Sequence, residues 1–244
     1  MTEIILNTSL IDVVAEKIRN NILDGTYEPG QKLIVRNIEN EMNVSQTPIK
    51  AALHRLAAEG YVEALPRRSM IVRRVTYDEY EWNMEMRLIL ELSVIPEVIK
   101  CSIREPSFIA DMESHYDRLK DVLERASDER IDYSEWLKHD FSFHSCFVDV
   151  HPNLQLRATY AGLRAHMSSF FAFLNDAKHP LTAKHFGMDN TEHMHILAAI
   201  KSHDADQLAT AVMRHISRPR IHQKGASDVQ QRVARFIELY NING

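Results

Sequence analysis

At 244 residues, with 45% apolar and 26% charged side chains, the chain can bury one large core or two modest ones, and two domains are the prior. A net charge of -5 argues against a uniformly basic nucleic-acid binder, and no run approaches the ~18 apolar residues that a membrane span needs. Met1-Thr2-Glu3-Ile4 lacks the basic and apolar regions of a signal peptide, and Cys101 and Cys146 match no metal or redox spacing; the expectation is a cytoplasmic protein with two reduced core thiols.

The charge is unevenly spread. Residues 1–76 hold 10 Lys/Arg and 9 Asp/Glu, a net of +1, which leaves -6 for the remainder. Ser9 is placed to cap a first helix with Leu10, Val13, Val14, Ile18, Ile22 and Leu23 as its apolar stripe, ended by Gly25. Tyr27-Glu28-Pro29-Gly30 reads as a turn, since Pro fixes one dihedral and Gly supplies positive φ. A second helix is expected over Leu33 to Met42, with Ile38 and Met42 inward and Arg36 outward. Asn43 can take the left-handed conformation that ends it.

The next stretch organises the chain. Ser45 or Thr47 can cap a third helix, with Pro48 tolerated in its first turn. Ile49, Ala52, Leu53 and Leu56 fall on one face at helical spacing, and Gly60 stops the run. The opposite face shows Gln46, Thr47, Lys50 and Arg55, so the helix has an apolar back and a polar, cationic front behind a tight turn. Tyr61-Val62-Glu63-Ala64 and Met70-Ile71-Val72-Arg73 are short β-type runs around Pro66-Arg67-Arg68-Ser69, the pattern of a wing hairpin.

The spaced motif Ser45-x-Thr47-Pro48-Ile49-Lys50-x-Ala52-Leu53-x-x-Leu56-x-x-x-Gly60, with the helices around it in order, resembles the winged-helix reader domain of the GntR family of bacterial transcription factors. The resemblance implies that Arg36, Gln46, Lys50 and Arg55 face the major groove, that Ser45 and Thr47 hold phosphates, and that Arg67 and Arg68 form the wing. Two departures stand out. Gln46 replaces a common arginine, which shifts the expected base from guanine to adenine. The wing lacks its customary glycines, which implies a stiffer, more cationic hairpin that leans on phosphate or the minor groove.

From Thr76 onward the β signals vanish. Helices are expected at about 77–102, 106–126, 132–150, 153–176, 189–202, 204–223 and 227–241, an all-helical second domain over 77–244 behind a winged helix-turn-helix domain over 1–76. Arg87-x-x-x-Glu91, Asp140-x-x-x-His144, Glu192-His193 with Ile196 and Ile200, and a later His215 resemble the FCD effector-binding domain of the FadR branch of the same family.

Asp140 and His144, four apart, share one helix face, and two later helices bring His193 and His215. With 13 histidines in the chain, spacing alone leaves an ordinary surface hydrogen bond as the better reading. An Asp and three imidazoles do suit a borderline divalent ion, Zn²⁺ first, then Ni²⁺, Mn²⁺ or Fe²⁺. The resemblance implies that Asp140, His144, His193 and His215 are the ligands and that Arg87 holds a small carboxylate effector lodged on the ion. Against the ligand role, Arg87 can simply pair with Glu91. His139, His151, His185, His195 and His203 fall outside the family register, and Phe170 and Phe173 are candidate pocket lining. Pro152 replaces a glycine usual before the family's asparagine, here Asn153.

The resulting expectation is a repressor that binds a palindromic operator as a homodimer and responds to a small organic acid. Two readings compete with it. One is a regulator with a purely structural or sensory metal. The other is a metal-dependent enzyme, disfavoured because four protein ligands exceed the three of catalytic zinc and no general base stands near.

Overall fold

The computed structural model describes residues 9–66, 69–126, 131–163 and 183–217. The described residues are mainly helical and separate into two compact units, one over 9–76 and one over 77–163 together with 183–217.

The first unit contains α1 (Leu10–Leu23), β1 (Lys32–Leu33), α2 (Val35–Met42), α3 (Gln46–Ala58), β2 (Val62–Leu65) and β3 (Ser69–Val72). Ser9 and Asp12 start α1 with a reciprocal capping box: the hydroxyl accepts from the Asp12 N–H, and the carboxylate accepts from the Ser9 N–H. Val14, Ile18, Ile22 and Leu23 are buried as expected. Leu10 and Val13 are instead 54% and 52% exposed. Leu10 is the helix's first residue, at the outer end of the apolar face, and Val13 lies off that face in line with Lys17.

Asn43 takes the left-handed conformation at φ 52°, which turns the chain between α2 and α3. Ser45 occupies the N-cap of α3 with extended backbone, but its side chain makes no capping bond. Ile49, Ala52, Leu53 and Leu56 are all at most 1% exposed. Each fully buried Ile or Leu contributes about 1.5–3 kcal/mol, so this face clamps α3 onto the rest of the unit and leaves its front to solvent. α2 begins at Val35, two residues later than expected. Leu33 is taken by β1, a two-residue strand too short to show a period, which pairs antiparallel with β3 at Lys32–Ile71 and Leu33–Met70. The sheet runs β1-β3-β2, with β2 and β3 paired antiparallel from Val62–Val72 to Leu65–Ser69.

The second unit contains α4 (Tyr77–Ser93), α5 (Ile95–Arg104), α6 (Pro106–Glu124), α7 (Tyr133–Asp149), α8 (154–163), α9 (Ala183–Lys201) and α10 (Ala205–Ser217). The single helix expected over 77–102 is two. Pro96 has no N–H, and in a continuous helix its ring would meet the carbonyl of Leu92; it sits instead in the first turn of α5, after a break at Val94. α9 starts six residues before the expected 189. The expected helix over 227–241 and the aromatic pair Phe170 and Phe173 lie outside the described residues.

Aromatic side chains dominate the core of this unit. Trp136 is packed against Phe186 with centroids 4.4 Å apart, and Phe143 and Phe147 are fully buried. Cys101 and Cys146 are free, but half-buried rather than in the core as expected. Among the described residues no helix is long and apolar enough to cross a membrane. Into this apolar interior the fold places Arg87, Glu91, Asp140, His144, Glu192, His193 and His215, each at most 9% exposed. Such a concentration of buried polar groups demands partners.

Candidate functional site

Helical spacing delivers the side chains. Asp140 and His144 are one turn apart on α7, His193 comes from α9, and His215 from the last turn of α10. All three imidazoles offer Nε2 to one point: Nε2 of His144 is 3.0 Å from Nε2 of His193 and 3.1 Å from Nε2 of His215. Oδ1 of Asp140 lies 3.1 Å from Nε2 of His193. The structure thus brings together the four residues singled out as ligands, as a buried group able to hold a metal ion. Phe143 walls the centre, with its ring edge-on to His144 and to His193.

A further layer fixes the imidazole tautomers. Nδ1 of His144 is 2.9 Å from Oε2 of Glu91, and Nδ1 of His215 is 3.1 Å from Oε2 of Glu192. A carboxylate only accepts, so both rings carry their proton on Nδ1 and turn a bare Nε2 toward the other. Two lone pairs 3.1 Å apart repel unless a cation stands between them. Backing by carboxylates is the usual support for imidazoles that bind metal. The donor set therefore fits a borderline divalent ion, which, when bound, supplies a Lewis-acidic point for an anion.

Glu91 is a junction. Its Oε1 accepts from Nε of Arg87 at 2.7 Å and from the hydroxyl of Tyr160 at 2.7 Å. Burial alone raises its carboxyl, but the charges of His144 and Arg87 and their hydrogen bonds bring it down to about 2. Burial and the Arg87 charge push His144 down to about 4. Asp140 is likewise held well below the usual carboxylate range: burial opposes this, and His193, His144 and Arg87 outweigh it.

The competing reading of Arg87 as a partner of Glu91 is realised, yet it uses only Nε. Nη1 and Nη2 are buried and find no hydrogen-bond partner among the described residues. Nη1 stands 4.0 Å from Oδ2 of Asp140, which points the fork toward the centre. The roles of Glu91 toward His144 and of Tyr160 toward Glu91 span 53 and 69 residues and carried no local signal.

On the first unit, Arg36, Ser45, Gln46, Thr47 and Lys50 are all exposed. Arg36 and Lys50 have no carboxylate partner among the described residues, so their charges face solvent. Nε2 of Gln46 donates to Glu39 at 2.8 Å. Arg55, also expected to face the groove, is exposed and engaged by two carboxylates. It bonds Glu59 through Nε and Asp12 through Nη1, because α1 passes beside the last turns of α3 and supplies a nearer carboxylate. Arg67 and Arg68 lie outside the described residues. His54 lies one turn beyond Lys50 on the same exposed face, a position that helical spacing alone marks.

Of the other histidines, His139 packs beside His115 with centroids 5.9 Å apart, and His203 pairs with Ser102 at 2.9 Å. Nδ1 of His151 accepts from the backbone of Asn153, and His195 is exposed on α9. None of these joins the centre. The side chain of His185 lies outside the described residues.

Residues 10–72 match the family described as bacterial regulatory proteins of the gntR family, and residues 83–218 match the FCD domain. The chain is 23% identical over 192 residues to the Nta operon transcriptional regulator of Aminobacter aminovorans, covering 79% of this chain and 84% of that one. It is 22% identical over 201 residues to the HTH-type transcriptional repressor RspR of Escherichia coli, covering 82% of each. The solved structure of E. coli McbR/YncC shares its fold with a TM-score of 0.68 and 19% identity, over 96% of this chain and 99% of that one. Helix order, wing hairpin and helical second unit agree with these matches, and the chain belongs to the GntR family of DNA-binding transcriptional regulators, with an FCD domain.

Proposed function

We propose that this regulator is a repressor of the FadR branch, acting in the cytoplasm as a homodimer on a palindromic operator, and that a small carboxylate controls its affinity by binding at a metal ion in the helical domain. Asp140, His144, His193 and His215 hold the ion, with zinc the first candidate, and Arg87 takes the free end of the acid through Nη1 and Nη2. The observation that carries this reading is a pair of facts about one small volume. The Nε2 atoms of three imidazoles, bare on His144 and His215, converge there with a carboxylate, and an arginine beside them has two buried donors without partners among the described residues. A guanidinium fork suits a carboxylate in geometry and charge.

In the first unit, Gln46 and Lys50 of α3 and Arg36 of α2 face the groove, Ser45 and Thr47 hold phosphate, and Arg67 and Arg68 extend the contact from the wing. Two copies reading two half-sites supply the specificity that one short helix lacks. Binding of the acid shifts the helical domain between states that space the reading heads differently. Metal analysis and native mass spectrometry of the purified protein, followed by fluorescence anisotropy on its operator, test the scheme. Bound divalent ion, a dimer mass and an acid-dependent change in operator affinity that chelator abolishes are expected. Affinity indifferent to every acid and to chelator would refute the switch and leave a purely structural metal as the reading.

A further inference from the structure

The front of the first unit carries a carboxylate where a polyanion is to dock. Glu39, in the last turns of α2, reaches across the left-handed turn at Asn43 and accepts a 2.8 Å hydrogen bond from Nε2 of Gln46, the first residue of α3. A negative charge at this place opposes the phosphate backbone, so it does not serve affinity. Nor is it held by the nearest cation: Arg36, three residues earlier on the same helix, makes no ion pair with it among the described residues. Its bond goes to the amide of Gln46.

An unrestrained glutamine reads bases ambiguously. Its amide turns over, and Nε2 has two hydrogens, so it can meet adenine with one donor and one acceptor or guanine with donors alone. Once one Nε2 hydrogen lies on Glu39, what remains is a single N–H and Oε1. That pair complements N7 and the N6 amino group of adenine. Guanine would set its O6 against Oε1, with the Glu39 carboxylate close behind.

We propose that Glu39 is a specificity-determining positioning residue: by holding the Gln46 amide it makes one base step of each half-site select adenine and reject guanine. The proposal rests on the reading of α3 as the groove-facing helix and assigns a role to a residue of α2 that need not touch a base.

The test uses the full-length protein. Operators are selected from a randomised duplex library, Gln46→Ala identifies the step that Gln46 reads, and anisotropy measures affinity with each of the four base pairs there. The wild type should prefer adenine over guanine at that step by about tenfold, as one bidentate contact supplies. Glu39→Ala should keep affinity for the adenine operator within about threefold, lose most of the preference at that step, and leave the other steps alone. Glu39→Gln, which can still accept the bond without a charge, should retain part of the preference. A full preference in Glu39→Ala, or an equal loosening at every step, would overturn the proposal while leaving α3 as the reading helix. A library that yields no enriched sequence with the wild type would instead refute the groove-facing assignment itself.

Discussion

The metal reading can be broken without touching a ligand, at Glu192. Its Oε2 stands 3.1 Å from Nδ1 of His215 and fixes which ring nitrogen is bare. In Glu192→Gln the amide oxygen can still accept the Nδ1 proton, so the ring stays in place, but the charge that makes Nε2 a better donor is gone. Loss of such a partner lowers metal affinity about 10–100-fold, or about 1.4–2.7 kcal/mol. Glu91→Gln makes the contrast, because Glu91 also faces the buried guanidinium of Arg87. Removing the counter-charge of a buried ion costs about 3–5 kcal/mol, which for a chain of this size lowers the unfolding midpoint by about 10 °C. Competition titration against a chromophoric chelator reads affinity, and calorimetry with and without chelator reads stability. For the wild type, an ion at 100 times its Kd adds about 2.7 kcal/mol, a midpoint rise of roughly 5–10 °C. Glu192→Gln should lose affinity with a nearly unchanged metal-free midpoint, and Glu91→Gln should lose the midpoint as well. Unaltered affinity in Glu192→Gln would show that its contact with His215 is incidental, and equal affinity in wild type and His193→Ala would remove the metal from the account.

Four further outcomes are expected. Arg87→Lys keeps the charge but loses the fork, so it should bind metal as the wild type does while any acid-induced change in operator affinity falls at least about tenfold. Stability of the metal-free protein should fall on acidification. His144 is held at about 4 in the fold against 6.5 when unfolded, so the unfolded chain takes up the proton first and stability drops as pH falls from 6.5 toward 4. Urea midpoints at pH 7 and pH 5 should register a loss of about 2 kcal/mol from this group, and no loss would contradict its burial as a neutral ring. Leu53→Ala, at a site 1% exposed, should cost about 2–5 kcal/mol in the first unit by calorimetry and leave metal affinity unchanged. Arg55→Ala should leave operator affinity within about twofold, because Asp12 and Glu59 hold its guanidinium, whereas Lys50→Ala should weaken it at least about fivefold by anisotropy.

What the sequence made legible was what a single helix writes down. The positions of Ile49, Ala52, Leu53 and Leu56 are a period, and a period names a buried face wherever the rest of the chain goes. Asp140 and His144 are likewise neighbours by spacing alone. The residues that decide chemistry at the edges are not. Arg55 looks free until α1 is known to lay Asp12 beside it, 43 residues away, and Gln46 looks like an unrestrained reader until Glu39 is seen across the turn. Pro96 is the opposite case, a purely local signal: its missing N–H splits 77–102 into two helices.

Glu91 shows why the site needs the whole fold to exist. Two carboxylate oxygens there meet three donors, Nε of Arg87, the hydroxyl of Tyr160 and Nδ1 of His144, from three different helices. With those bonds made, Glu91 turns no further oxygen to the terminal nitrogens of Arg87, and Asp140 at 4.0 Å stands beyond hydrogen-bond reach. Unpaired buried donors cost about 1–3 kcal/mol each. A carboxylate that accepted from both nitrogens would remove that cost. The same junction ties the arginine to the imidazole of His144 and to α8 through Tyr160. A ligand that draws the fork toward itself must therefore reweight the bonds that hold His144 and α8, which is the physical form that coupling between an acid and the helical domain would take.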